Sequence, residues 1–156
     1  MGDIKIRHLD FDDAGGFLNF FLKAVHSSEF KNQIMNEAKM LKMFYSLVLD
    51  SNKCGYIALD NKKIVGLIAG IVTSNWWSDD LILKELGIYI DEEYREKNIA
   101  NKLFKKWFEF GKVHKVSEIA YGASADKKYF KPLYELFTKK YKFKPAGISL
   151  RRIENV

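Results

Sequence analysis

Nine consecutive residues, Ile64-Val65-Gly66-Leu67-Ile68-Ala69-Gly70-Ile71-Val72, carry neither a charge nor a polar side chain. The run falls well short of the roughly 20 apolar residues of a membrane span. It reads as a strand, and one apolar at every position rather than at alternate ones must be covered on both faces. The rest of the chain must therefore supply two apolar layers. With 156 residues and no repeat, low-complexity tract or Pro/Gly-rich linker, the expectation is one α/β domain, residues 1–156, around a single core.

The flanking segments supply those layers. Ile4 to Leu9 alternates at period two and predicts a first strand, and Asp10, Asp12 and Asp13 offer caps for a helix beginning just after it. Phe17, Phe20, Phe21 and Val25 make a helical face. Ser27 and Ser28 mark a break, and Ser28 is a candidate cap for a second helix to about Leu49, with Ile34, Ala38, Leu41, Phe44 and Leu47 inward. Tyr56 to Leu59 is a strand turning at Asp60-Asn61 into the apolar run. After a loop from Ser74 to Asp80, Ile82 to Ile90 is another strand, ended by Asp91-Glu92-Glu93. A long amphipathic helix comes next with Ile99, Leu103, Phe104, Trp107, Phe108 and Phe110 apolar, stopping near Gly111. Ser117 to Tyr121 is a short strand, Tyr129 to about Lys139 a helix, and Phe143 to Ile153 a last extended stretch broken by Pro145 and Gly147. The order β-α-α-β-β-β-α-β-α-β gives a mixed central sheet with helices on both faces.

Charge is distributed unevenly. Residues 1–94 hold 10 Lys/Arg against 14 Asp/Glu, and residues 95–156 hold 16 against 6. The basic half has two readings, a solvated face or a surface for a polyanion such as a phosphate-bearing cofactor or nucleic acid. Cys54 stands alone, which excludes an internal disulfide framework and suits a reducing compartment. The charged, alternating N-terminus does not read as a signal peptide, so the cytoplasm is expected and no membrane partner. His8, His26 and His114 form no metal spacing with Cys54, and no Ser or Cys sits in a nucleophile elbow, so neither a metal site nor hydrolase chemistry is expected.

The stretch from Leu86 to Leu103 carries the chemistry. A strand runs into a short turn that opens directly into an amphipathic helix. The first helical turn leaves backbone N–H groups without intrahelical partners, and the dipole adds partial positive charge there. A small residue such as Ala100 lets an anion approach, giving a phosphate site made mainly of main chain.

On these residues the chain resembles the GNAT superfamily of N-acetyltransferases. Their acyl-CoA motif, Arg/Gln-x-x-Gly-x-Gly/Ala, is met at Arg95, Glu96, Lys97, Asn98, Ile99 and Ala100, with Asn98 in place of Gly. Asn is the side chain that best tolerates a left-handed backbone. Downstream, Leu133-Tyr134-Glu135 followed by Phe143-Lys144-Pro145-Ala146-Gly147 resembles the family's Leu-Tyr-x-x-x-Gly-Phe-x-Pro-x-Gly ending. Here the helix runs longer, Lys142 replaces a Gly, and Ala125, Asp126 and Lys127 stand where an Asn is frequent. The resemblance extends from about Ile57 to Ile153 and implies a single-domain GNAT-like fold.

It implies acyl transfer from acetyl-CoA to an amine by direct attack, with no acyl-enzyme. The amine must lose a proton and the leaving thiolate must gain one. By the resemblance Tyr134 is the general acid. Glu85, among Leu81, Ile82, Leu83 and Leu86, is either a carboxyl raised by its surroundings into a useful base or an exposed strand glutamate paired with a lysine. The backbone of Ile88 and Ile90, with Tyr89 between them, would flank the pantetheine arm. The amides from Arg95 to Asn101 would hold the pyrophosphate, and Lys97, Lys102 and Lys127 would reach outer phosphates. Strand alternation places Tyr89 on the face of Glu85 and Gly87. Trp76-Trp77-Ser78-Asp79-Asp80 offers an aromatic and acidic loop suited to a cationic amine, or a loop in which a Trp packs. The acceptor is a small-molecule or protein amine. A nucleic-acid base is a second acceptor class, a non-catalytic module on the same fold is a third reading, and exposed strand edges leave room for a homodimer.

Overall fold

A computed structural model of the chain describes residues 3–28, 31–95, 97–122 and 127–147, by backbone alone over 127–130. The chain forms two compact units, residues 1–122 and 123–156.

In the first unit the sheet runs in chain order: β1 (Ile4–His8), β2 (Lys53–Asp60), β3 (Lys63–Ser74), β4 (Leu81–Ile90) and β5 (Glu118–Ala120). Neighbours are antiparallel except β4 with β5, so the sheet is mixed. Helices α1 (Ala14–His26) and α2 (Glu37–Leu49) lie between β1 and β2 in sequence, and α3 (Ile99–Val113) between β4 and β5. The apolar run is the body of β3, at the centre of the sheet and buried almost throughout. On one face Leu67 and Ala69, with Ile57 and Leu59 of β2, pack against Phe17 and Phe20 of α1 and Phe44 and Leu47 of α2. On the other face Ile99, Leu103, Phe104 and Trp107 of α3 are fully buried. The two strand glycines on that face make room for them. A Cβ on Gly66 would stand 3.2 Å from Ile99 Cγ2, and one on Gly70 would collide with Trp107 Nε1.

The second helix begins later than the sequence predicts. Asn36, not Ser28, is its cap, its side chain accepting from the Lys39 amide at 3.0 Å. Ile34 therefore precedes the helix and is 99% exposed. Ala38 is exposed and Leu41 only half-buried. The buried face is Met40, Phe44 and Leu47, the i, i+4, i+7 stripe of a helix that starts at Glu37. At the N-terminal end Asp10 does cap, in a box with Asp13, and Arg7 pairs with Asp13 through two bonds of 2.6 and 2.7 Å.

In the second unit α4 (Lys127–Glu135) runs into a π-helical turn, Leu136–Lys140, which accounts for the long helix after Tyr134. Phe137 is buried there against the rings of Tyr141 and Phe143. Lys142 takes φ 61°, the left-handed conformation for which a glycine is the usual residue. Residues 143–147 join no strand, and 148–153 of the expected final stretch lie outside the described residues. Among the described residues no helix is long and apolar enough to cross a membrane.

Candidate active site

β4 carries an irregularity that organises the site. Its pairing with β3 steps from Ala69↔Gly87 to Gly70↔Glu85, so Leu86 has no partner and forms a β-bulge. Cross-strand partners share a face, and the bulge therefore breaks the alternation predicted for this strand. Tyr89 pairs with Leu67 on the α1 side, where its ring meets Phe20 at 5.4 Å and its hydroxyl meets Ser27 Oγ at 2.8 Å. Glu85 pairs with Gly70, whose face is the one filled by Trp107. The expected sharing of one face by Glu85 and Tyr89 is thus overturned by one extra residue.

The bulge coincides with the parting of β4 from β5. β5 pairs only with Ile82 to Lys84, so from Glu85 to Ile90 the outer edge of β4 has no strand beside it among the described residues. The ladder determines which groups point along that edge. The Asp91 amide donates to the Val65 carbonyl at 3.0 Å. Bonded and non-bonded pairs alternate in an antiparallel ladder, so Ile88 and Ile90 aim their N–H and C=O away from β3. Arg95 takes one of these groups, its Nε donating to the Ile90 carbonyl at 3.0 Å. Its guanidinium also meets Glu92 at 3.2 Å and lies 5.8 Å from the Tyr89 ring centroid.

The turn after β4 is held from three sides. Asp91 is buried, with Lys23 Nζ of α1 at 2.8 Å and Lys63 Nζ of β3 at 3.8 Å. Glu92–Tyr94 form a single 3-10 turn, and Tyr94 donates to Asp60 at 2.8 Å. Lys97 Nζ lies 4.1 Å above the Tyr94 ring. Asn98 then adopts φ 58° and ψ 18° as the residue before α3, with the side-chain Nδ2 of Asn101 donating to its side-chain oxygen. The glycine position of the motif is indeed left-handed, and Asn fills it.

The open-amide segment is shorter than the sequence predicts. The amides of Arg95 and Lys97 donate to the carbonyls of Glu92 and Tyr94, because the 3-10 turn extends to them. The Lys102 amide reaches the Asn98 carbonyl at 3.3 Å. Ile99 and Ala100 precede that bond at the positive end of α3, and the Asn98 side chain makes no capping bond to the helix. Ile99 is fully buried against Gly66, which fixes where this end of α3 stands. Glu96 lies outside the described residues, as does the side chain of Lys127.

Burial pushes the Glu85 carboxyl up to about 7, against a smaller opposing effect of the hydrogen bond from the Gly122 backbone. Burial, and then the charge of Glu85, raise Tyr121, whose ring packs edge-on against Phe104 and Trp107. Tyr134, on α4, is 47% exposed. Trp76 and Trp77 are 92% and 66% exposed and meet edge to face, so neither packs in the core. Sequence reasoning missed Asp91, which along the chain is only one member of a strand-ending acidic cluster. Its partners lie on other elements, and no local pattern announces them.

The fold is shared with known proteins. Residues 21–136 match the family model described as the acetyltransferase (GNAT) family. A search of curated proteins by sequence returns no match. Among solved structures, an aminoglycoside acetyltransferase from an uncultured soil metagenomic sample, in complex with sisomicin, superposes with a TM-score of 0.71 at 19% identity, covering 97% of each chain. AAC(6')-Iy in complex with the bisubstrate analogue CoA-S-monomethyl-acetylneamine gives 0.73 at 11% identity, covering 99% of this chain and 100% of that one. Glucosamine-6-phosphate N-acetyltransferase from Arabidopsis thaliana gives 0.72 at 11% identity, covering 97% and 99%. At these identities the likeness establishes the fold.

Proposed function

Since the chain belongs to the acetyltransferase (GNAT) family, we propose that residues 1–156 form one acyltransferase domain that moves an acetyl group from acetyl-CoA to a small-molecule amine. The observation that carries this reading is the open edge of β4 leading through a single 3-10 turn to a left-handed Asn98 whose side chain does not cap the start of α3. Those residues suit acetyl-CoA. The outward backbone groups of Ile88 and Ile90 suit an amide-bearing arm laid along the strand, although Arg95 already takes the Ile90 carbonyl. The amides of Ile99 and Ala100 suit a diphosphate. Gly87 leaves space at the bulge, where among the described residues only a Glu85 oxygen, at 3.9 Å, lies within 4 Å of a would-be Cβ.

When bound, acetyl-CoA supplies an activated acetyl thioester. Glu85 takes the proton from the attacking amine nitrogen, a task its raised pKa fits at neutral pH. Tyr134 gives its phenolic proton to the departing sulfur. Solvent returns the proton from Glu85 to Tyr134, so neither residue is consumed. Lys97, Lys102 and Lys127 add positive charge for the outer phosphates. The Trp76–Trp77 pair with Asp79 and Asp80 supports a cationic acceptor, because exposed aromatic faces beside carboxylates favour ammonium groups. The lone buried Cys54 supports a cytoplasmic setting.

Isothermal calorimetry with acetyl-CoA tests the cofactor, and thiol release with a panel of primary amines tests turnover. Absence of binding at millimolar acetyl-CoA would remove the proposal's basis.

A further inference from the structure

Trp107 is fully buried in the middle of α3, yet its indole Nε1 has no hydrogen-bond partner among the described residues. A buried donor left unmatched is costly, and native cores rarely tolerate one without a use. The position of this donor is specific. It stands over Gly70, where a Cβ would collide with it, and Gly70 is the cross-strand partner of Glu85 at the bulge. The Tyr121 ring lies 6.4 Å from the Trp107 ring and the Tyr121 phenol feels the charge of Glu85, so the three side chains share one neighbourhood.

Resting on the reading of Glu85 as general base, we propose that Trp107 is a positioning residue for it: the indole N–H, unbonded in this structure, is the donor to which the Glu85 carboxylate turns once it is ionised. A carboxylate that has lost its proton in an apolar setting needs donors, and the Gly122 amide supplies one. The indole N–H, itself uncharged at any accessible pH, supplies a second without adding a charge that would trap Glu85 in its ionised form. It thereby opposes the upward push of burial on the carboxyl and fixes its direction. The other titratable groups on the neighbouring elements add no charge of their own beside it near neutral pH. Cys54, one strand beyond Gly70, is pushed up to about 12 and Tyr121 is raised as well, chiefly by burial, so both stay protonated. Lys106 on α3 is engaged by Glu109 at 2.9 Å, and Lys84 pairs with Ile71, one position out of step with Glu85.

The test is a nitrogen-15 NMR titration of the tryptophan indole groups from pH 5 to 9 in the full chain, with Trp76→Phe and Trp77→Phe identifying the Trp107 signal. The expected result is a Trp107 indole shift that titrates with the same midpoint as the acidic limb of kcat/KM, and that goes flat in Glu85→Gln. Trp107→Phe should move the acidic limb upward by about one pH unit, since one donor to a charged acceptor has been removed. An indole signal that stays flat while activity still shows a Glu85-dependent ionisation overturns the role of Trp107 and leaves the base assignment standing. An activity profile with no ionisation lost in Glu85→Gln overturns the base assignment itself. The wild-type and Glu85→Gln titrations decide the matter even if Trp107→Phe does not fold.

Discussion

Lys23 on α1 and Asp91 at the end of β4 form an ion pair of 2.8 Å in which the carboxylate is buried and the lysine half exposed. The asymmetry decides which partner the fold can lose. Lys23→Met leaves a buried charge facing Lys63 at 3.8 Å, and should cost about 2 kcal/mol. Lys23→Met with Asp91→Asn should recover part of that loss. Urea denaturation of both variants checks the order. Equal stability of single and double variants would contradict it.

Glu85 has two consequences for pH dependence. As a base with a pKa of about 7, it should make kcat/KM fall tenfold per unit below that pH, and Glu85→Gln should abolish the limb. Its folded pKa is raised, so its contribution to stability is fully present below its ordinary value of 4.5 and is lost as pH rises through about 7. Relative to Glu85→Gln, the wild type should therefore lose on the order of 3 kcal/mol between pH 4 and pH 8. Parallel thermal denaturation series read this directly, and a constant difference would contradict it.

Asn98 and Lys142 both occupy left-handed backbone at φ 58° and 61°. Asn98→Gly should keep acetyl-CoA affinity within about threefold and leave stability near wild type. Asn98→Ala should cost about 1–2 kcal/mol, because Ala incurs the left-handed penalty without the Asn101 contact. Lys142→Gly should be neutral or stabilising by up to about 1 kcal/mol. Denaturation midpoints and calorimetry with acetyl-CoA separate these outcomes.

Tyr134→Phe should lower kcat by about a hundredfold while leaving KM for acetyl-CoA nearly unchanged, the signature of a proton donor used only in the transition state. An unchanged kcat would remove Tyr134 from the mechanism and leave it a helix-surface tyrosine. Steady-state kinetics at saturating acceptor provide the measurement.

Much of the fold is legible along the chain because periodicity reports burial. The apolar run is β3, and the stripe from Ile99 to Trp107 is the buried face of α3. The left-handed turn is legible through Asn98, a residue with a conformational preference of its own. Two features are not. Ile34 is apolar and lies close to the right spacing, which draws the expected start of α2 too early; only the bond from Lys39 to Asn36 distinguishes the true start. The bulge at Leu86 has no residue of its own to announce it, and counting by twos carries Tyr89 across to the face of Glu85. The Lys23–Asp91 pair and the inward donor of Trp107 depend on chain segments meeting across the sheet, which no local window contains.

Leu86 is the one residue of β4 that stands outside the ladder, and so the strand is two half-strands out of phase. Deleting it would leave Glu85 opposite Gly70 and the buried Leu83 opposite Val72 on the α3 side, and would restore plain alternation into Gly87. Deleting a paired residue upstream of it would instead turn over everything from that point towards the hairpin loop. The hairpin loop from Asn75 to Asp80 can change length without disturbing either half. Within β4 the one supernumerary residue is what lets an acid and a tyrosine four positions apart face different helix layers.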